Sequence, residues 1–159
     1  MNAKVYNSLI KLGLTKKAST SISKLNFKGY NIHIAFTEFG KHITWCINIK
    51  KINICHKKDC SSHAEEELIK KINRKFYQNK KVNDISLYSI RINKQGEIKC
   101  AKPCLDCINY ILKSRIKIKE IYYSNNDILC KINPNKEDFN IGYGISSGRK
   151  YWYLDDAIK

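Results

Sequence analysis

The residues best equipped for chemistry stand in two separated segments, Ser62-His63-Ala64-Glu65-Glu66-Glu67 and Lys102-Pro103-Cys104-Leu105-Asp106-Cys107. Together they read H-x-E, a spacer, then P-C-x-x-C. Two thiolates and one imidazole are ligand types that zinc accepts, and three such ligands leave a tetrahedral ion one open position for water. An ion of that kind lowers the pKa of its water far enough for hydrolysis near neutral pH. The chemistry suggested is therefore metal-assisted hydrolysis.

The elements that must position these groups can be read from spacing. Cys104 and Cys107 are three apart, so on a helix they share one face in consecutive turns. Pro103, just before them, suits a helix start because its missing N–H costs nothing there. His63 precedes a helix-compatible run from Ala64 to Tyr77, with Glu65, Glu66 and Glu67 placing negative charge in the first turn. If both helix N-termini face one metal, their partial positive ends favour ionised thiols.

On these two motifs the chain resembles the cytidine and deoxycytidylate deaminase superfamily of zinc-dependent nucleobase deaminases, over roughly residues 28–132. The resemblance implies one Zn2+ per chain, held by His63, Cys104 and Cys107. It implies that Glu65 is no ligand but the catalytic proton shuttle, serving the attacking water, the ring nitrogen and the departing amino group. Glu65 also separates this reading from a structural zinc site, which would want a fourth ligand and no acid alongside. The fold implied is a three-layer α/β/α sandwich around a mixed sheet of about five strands. The expected reaction turns a cytosine-type base into uracil with release of ammonia, on a nucleoside, a nucleotide or single-stranded nucleic acid. Relatives often assemble, which leaves room for a homo-oligomer.

Two features divide the superfamily. Ser124-Asn125-Asn126-Asp127 is a tight turn between strand-like runs, and so short a link allows only an antiparallel last pair. Free-nucleoside deaminases and several polynucleotide-acting toxins share that arrangement, whereas the editing and deoxycytidylate branches insert a helix. Against this, the nucleoside enzymes' third zinc thiolate is replaced here by His63, as in the nucleotide and polynucleotide branches. Their sugar-binding Asn-x-Glu pair is reduced to Asn48-Ile49-Lys50, without the glutamate. Asn48 is the candidate for contacting the sugar and the Ala64 backbone N–H the candidate for the pyrimidine carbonyl; a polar strand end is the plainer reading of Asn48.

Composition bounds the alternatives. A chain of 159 residues is expected to be one domain, with a core over 28–132, an N-terminal helix over 3–12 and an extension over 133–159. No apolar run reaches the roughly 20 residues of a membrane span. Met1 to Leu14 lacks a continuous apolar stretch, so no signal peptide is expected, and the seven cysteines are an odd number for a disulfide framework. An intracellular setting, cytoplasmic or nuclear, follows as the expectation, with Cys46, Cys100 and Cys130 as buried free thiols. The net charge of +16 fits a nucleic-acid partner. It equally fits A- and T-rich codons, because nearly all of the excess is Lys beside abundant Asn and Ile. A nucleic-acid-binding protein of the same fold with weak or no catalysis is thus the alternative.

The remaining expectations follow the chain. Val5, Leu9 and Leu12 form one stripe closed by Gly13, and Ile22 and Leu25 anchor a continued helix. Tyr30 to Phe36 and His42 to Ile49 form a hairpin, with His33 and His42 read as packing or surface residues rather than ligands. Cys55, His56, Cys60 and His63 lie close enough in sequence to hold a rival zinc, though that would take His63 from a better-matched pair. Leu68, Ile69, Ile72 and Phe76 mark the core face of the first motif helix; Leu105, Ile108, Ile111 and Leu112 mark that of the second. Arg149-Lys150-Tyr151-Trp152-Tyr153 could stack bases or pack on a sheet edge.

Overall fold

Alternation along the strands sets the architecture. In this computed structural model the residues described are 1–25, 31–39, 42–51, 60–76 and 85–134. Strands β1 (Ile32–Phe39) and β2 (His42–Ile47) pair antiparallel, followed by β3 (Ile49–Lys51) and β4 (Cys60–Ser62), which form a separate antiparallel pair among the described residues. The main sheet is completed by β5 (Ile85–Ile92), β6 (Ile98–Lys99), β7 (Ile118–Asn125) and β8 (Ile128–Ile132). Its order is β2-β1-β5-β7-β8, with β6 beside β5. The sheet thus has six strands rather than about five. The extra one arises because the turn after Asn93 folds Ile98 and Lys99 back onto Ile92 and Arg91.

One pair, β5 with β7, is parallel. A parallel return needs a crossover of a dozen residues or more, and helix α4 (Leu105–Lys113) provides it. The last pair, β7 with β8, is antiparallel as the short link requires, with Asn125 opposite Ile128 and Asn126 at a positive φ of 54°.

Both faces of the sheet are covered, giving three layers. On one face Ala35, Leu87, Ile118 and Ile121 pack against Leu68, Ile69 and Ile72 of helix α3 (Ala64–Phe76) and Ile108 and Ile111 of α4. On the other, Ile34, Phe36, Ile90 and Ile92 meet Val5 and Leu9 of helix α1 (Ala3–Lys11) and Ala18 and Ile22 of helix α2 (Lys16–Ser23). Each fully buried Ile or Leu contributes about 1.5–3 kcal/mol relative to exposure. Every helix therefore has an apolar face that the sheet needs.

Several expectations shift. The N-terminal helix does not continue past Gly13; Thr15 caps a separate α2 by accepting from the Ala18 N–H. Leu112 is 45% exposed, because it lies a third of a turn beyond Ile111 and off the packed stripe. Cys100 is exposed and Cys46 and Cys130 are half-buried, so the three are free thiols without being fully buried. The alternation that would hide Cys100 ends where the chain leaves the sheet at Lys99. Among the described residues no helix is long and apolar enough to cross a membrane. Arg149 to Tyr153 lie outside the described residues.

Two glycines adopt positive φ for different reasons. Gly13, at +93°, ends α1 with open space around the missing Cβ; Gly96, at +77°, would bring a Cβ within 3.2 Å of Val5 Cγ2. Left-handed backbone costs a non-glycine residue about 1–3 kcal/mol. Gly96→Ala should therefore lower the urea midpoint more than Gly13→Ala, since only the former also displaces a buried valine. Equal shifts would show that the contact between the β5–β6 turn and α1 carries no weight.

Candidate metal centre

Two helix starts converge on the α3/α4 face of the sheet. The Glu67 N–H bonds to the His63 carbonyl, so His63 stands immediately before α3. Glu65, Glu66 and Glu67 occupy the first turn, where the helix dipole favours anions. Cys104 is the N-cap of α4, extended at φ −75° and ψ 165°, and its carbonyl accepts from the Ile108 N–H. Its sulfur is engaged by the backbone and side chain of Cys107 and by His63. Pro103 sits one residue outside the helix rather than in its first turn. Cys107, inside that turn, brings its sulfur to the same side.

Strand ends hold the two starts in place. Fully buried Ser124 on β7 donates to the Lys99 carbonyl and accepts from the Arg91 N–H, and its own carbonyl accepts from the Ala101 N–H. These bonds fix the path from β6 into Pro103 and Cys104. On the other side, the Asn48 N–H donates to the His33 carbonyl while Asn48 Oδ1 accepts from the Ala64 N–H at 2.9 Å. The exposed Asn48 thus ties β1 to the first residue of α3.

His63 Nδ1 lies 3.1 Å from Cys107 Sγ and 3.4 Å from Cys104 Sγ. All three donor atoms fall within 4.8 Å of one another, forming a group that could hold a metal ion. Cys107 is buried, while His63 and Cys104 are half-buried. The Cys104 thiol is pushed down to about 4, chiefly by a hydrogen bond from Cys107 and further by one from His63, against the opposing effect of burial. The trio already favours the anionic sulfur that a metal binds.

Glu65 is fully buried beside the trio. Its Oε2 accepts from Cys107 Sγ at 3.8 Å, and its Oε1 accepts from the Ser89 hydroxyl at 2.9 Å, with His33 Nε2 3.3 Å away. The structure therefore brings His63 and Glu65 together with Cys104 and Cys107, two pairs that the sequence places in distant segments. Asn48 and Ala64 bond to each other at the edge of this group. Cys55 and His56 of the rival set lie outside the described residues, and the backbone of Cys60 pairs with Lys51.

Sequence reasoning missed His33 and Ser89. His33 reads as a strand histidine of no special role, and Ser89 attracts no notice. The available signal was alternation: His33 and Ala35 on β1 share a face, and Ser89 lies opposite Ala35 in register.

The direction of the Cys104 shift sets a pH dependence. The folded value lies below the ordinary 9.0, so the thiolate's contribution to stability of the metal-free fold is complete above pH 9 and disappears as pH falls through about 4. Metal-free protein at pH 6 should accordingly be alkylated at Cys104 by iodoacetamide, in a native state and as judged by peptide mass. His63→Ala should slow that reaction by withdrawing one of the bonds to the sulfur. Labelling that begins only near pH 9 would contradict the arrangement.

No protein-family model matches the chain, and no curated protein or solved structure is significantly similar to it.

Proposed function

We propose that this site is the centre of a zinc-dependent hydrolytic deaminase acting on a cytosine-type base. The observation that carries the reading is Glu65, a fully buried carboxylate lying against a Cys-Cys-His trio. The order H-A-E then P-C-x-x-C, each half opening a helix, adds the likeness to the deaminase superfamily.

The donor set fits zinc. Zn–S bonds of about 2.3 Å and Zn–N bonds of about 2.0–2.1 Å at a tetrahedral angle separate nitrogen from sulfur by about 3.6 Å. The separations from His63 Nδ1, 3.1 and 3.4 Å, lie a few tenths below that. His63, Cys104 and Cys107 would hold the ion, and when bound it would supply a hydrolytic nucleophile at neutral pH. Glu65 would pass one proton of the attacking water to the ring nitrogen and then carry the second, from the hydroxyl now on the ring carbon, to the amino group, which leaves as ammonia. The overall balance is one water consumed, one C–N bond broken and one carbonyl formed. Asn48 would serve the sugar and the Ala64 N–H the pyrimidine carbonyl, which requires their mutual hydrogen bond to open.

The substrate class is a nucleoside, a nucleotide or an unstacked base in single-stranded nucleic acid. The antiparallel β7–β8 pair supports the free-nucleoside and toxin branches, while His63 in the ligand set supports the nucleotide and polynucleotide ones. The net charge of +16 favours a second reading, a nucleic-acid-binding protein of this fold with little catalysis.

Glu65→Ala separates the two. On the deaminase reading, ammonia release from a panel of nucleosides, nucleotides and short oligonucleotides falls by roughly 10²- to 10⁴-fold while one zinc per chain is retained. On the binding reading, wild-type protein releases no ammonia but binds single-stranded oligonucleotide with affinity that drops steeply as salt rises. Absence of both would dismiss both.

A further inference from the structure

Around Glu65 the hydrogen-bond pattern assigns protons as well as positions. A serine hydroxyl has one proton to give, and that of Ser89 goes to Glu65 Oε1 at 2.9 Å. Towards His33 Nε2, at 2.7 Å, the Ser89 oxygen must therefore accept. The proton on that contact belongs to the imidazole, which fixes His33 with Nε2 protonated. The same N–H lies 3.3 Å from Glu65 Oε1. Oε1 thus receives the Ser89 hydroxyl, which is itself held by the His33 N–H, with the imidazole alongside, while the other oxygen, Oε2, faces Cys107 Sγ at 3.8 Å.

The two oxygen positions consequently have different partners. Turning the carboxyl group out of its plane would leave the Ser89 hydroxyl without its acceptor and a fully buried oxygen without its donor, which is costly. The device is built into the sheet. Ser89 on β5 stands opposite Ala35, two residues from His33 on β1, so His33 and Ser89 are diagonal neighbours on the α3 face. The small side chains of Ala35 and Ala64, both fully buried, leave room for the contact.

We propose that His33 and Ser89 are positioning residues that clamp Glu65 Oε1 and so present Oε2 to the metal centre. The purpose assigned to the clamp rests on Glu65 being the proton carrier of a deaminase; the contact itself does not. Misplacing a catalytic group by about 1 Å costs on the order of 100-fold in rate. A loosened carboxylate should therefore act on kcat while leaving substrate binding nearly intact.

The test compares His33→Leu, His33→Gln and Ser89→Ala in the full chain. With zinc content equal to wild type, His33→Leu and Ser89→Ala should lower kcat roughly 10- to 100-fold and leave KM within about two-fold. His33→Gln, whose amide nitrogen can reoccupy the Nε2 position, should recover most of the loss. A readout free of activity comes from urea midpoints of the protein as purified, in a cycle of His33→Leu with Glu65→Leu. The shift caused by His33→Leu should be clearly larger when Glu65 is present than when it is leucine. Additive shifts overturn the clamp, as does a wild-type kcat in His33→Leu. If wild-type protein releases no ammonia, the deaminase reading falls alone; coupling in the cycle then still upholds the clamp, and additivity ends it.

Discussion

Burying an ionised carboxylate costs several kcal/mol unless partners replace its water, and Glu65 has no solvent exposure at all. Much of the surrounding geometry meets that requirement. Ser89, itself held by the His33 N–H, donates to one oxygen, and Cys107 faces the other. Hydrogen bonds to a charged group contribute about 1.5–3 kcal/mol each, and the first turn of α3 adds a favourable dipole. For those partners to reach Glu65, β1 and β5 must pair in the register that sets Ser89 against Ala35. A slip by one residue between the two strands would put His33 and Ser89 on opposite faces of the sheet.

The same sheet explains why distant segments meet. Helix α4 is the crossover between parallel β5 and β7, so its first turn lies beyond their carboxyl ends, where open α/β sheets place their sites. Ser124, at the end of β7, binds the chain leaving β6 and so delivers Pro103 and Cys104 to that edge. Asn48 does the corresponding work for α3 through the Ala64 N–H. The candidate metal donors and the carboxylate thus stand in, or immediately before, two helices that the sheet holds in place, and their spacing is a consequence of the fold.

What could be read from the sequence was what depends on local pattern. The stripes of α1 and α3 and the antiparallel β7–β8 pair follow from period and turn length, whereas the grouping of His63 with Cys104 and Cys107 was implied by the resemblance of the two motifs to the deaminase superfamily. What could not be read depends on register across the sheet. His33 looks like any strand histidine until β1 is aligned with β5, and Ser89 has no distinguishing neighbour in the chain. The short β6 was missed because two residues carry too little alternation, and Leu112 because one step around a helix separates core from surface. Asn48 was singled out for a sugar; its visible role is to hold the start of α3.

Everything proposed for this site depends on which atoms would hold a zinc ion. X-ray absorption at the zinc edge, on full-length protein loaded with one equivalent, measures this directly. Two sulfurs at about 2.3 Å and two nitrogen or oxygen neighbours at about 2.0–2.1 Å are expected, with both sulfurs lost from the spectrum when Cys104 and Cys107 are replaced by serine. A shell of three or four sulfurs, or one unchanged by those replacements, would assign the metal to other cysteines and contradict the site described.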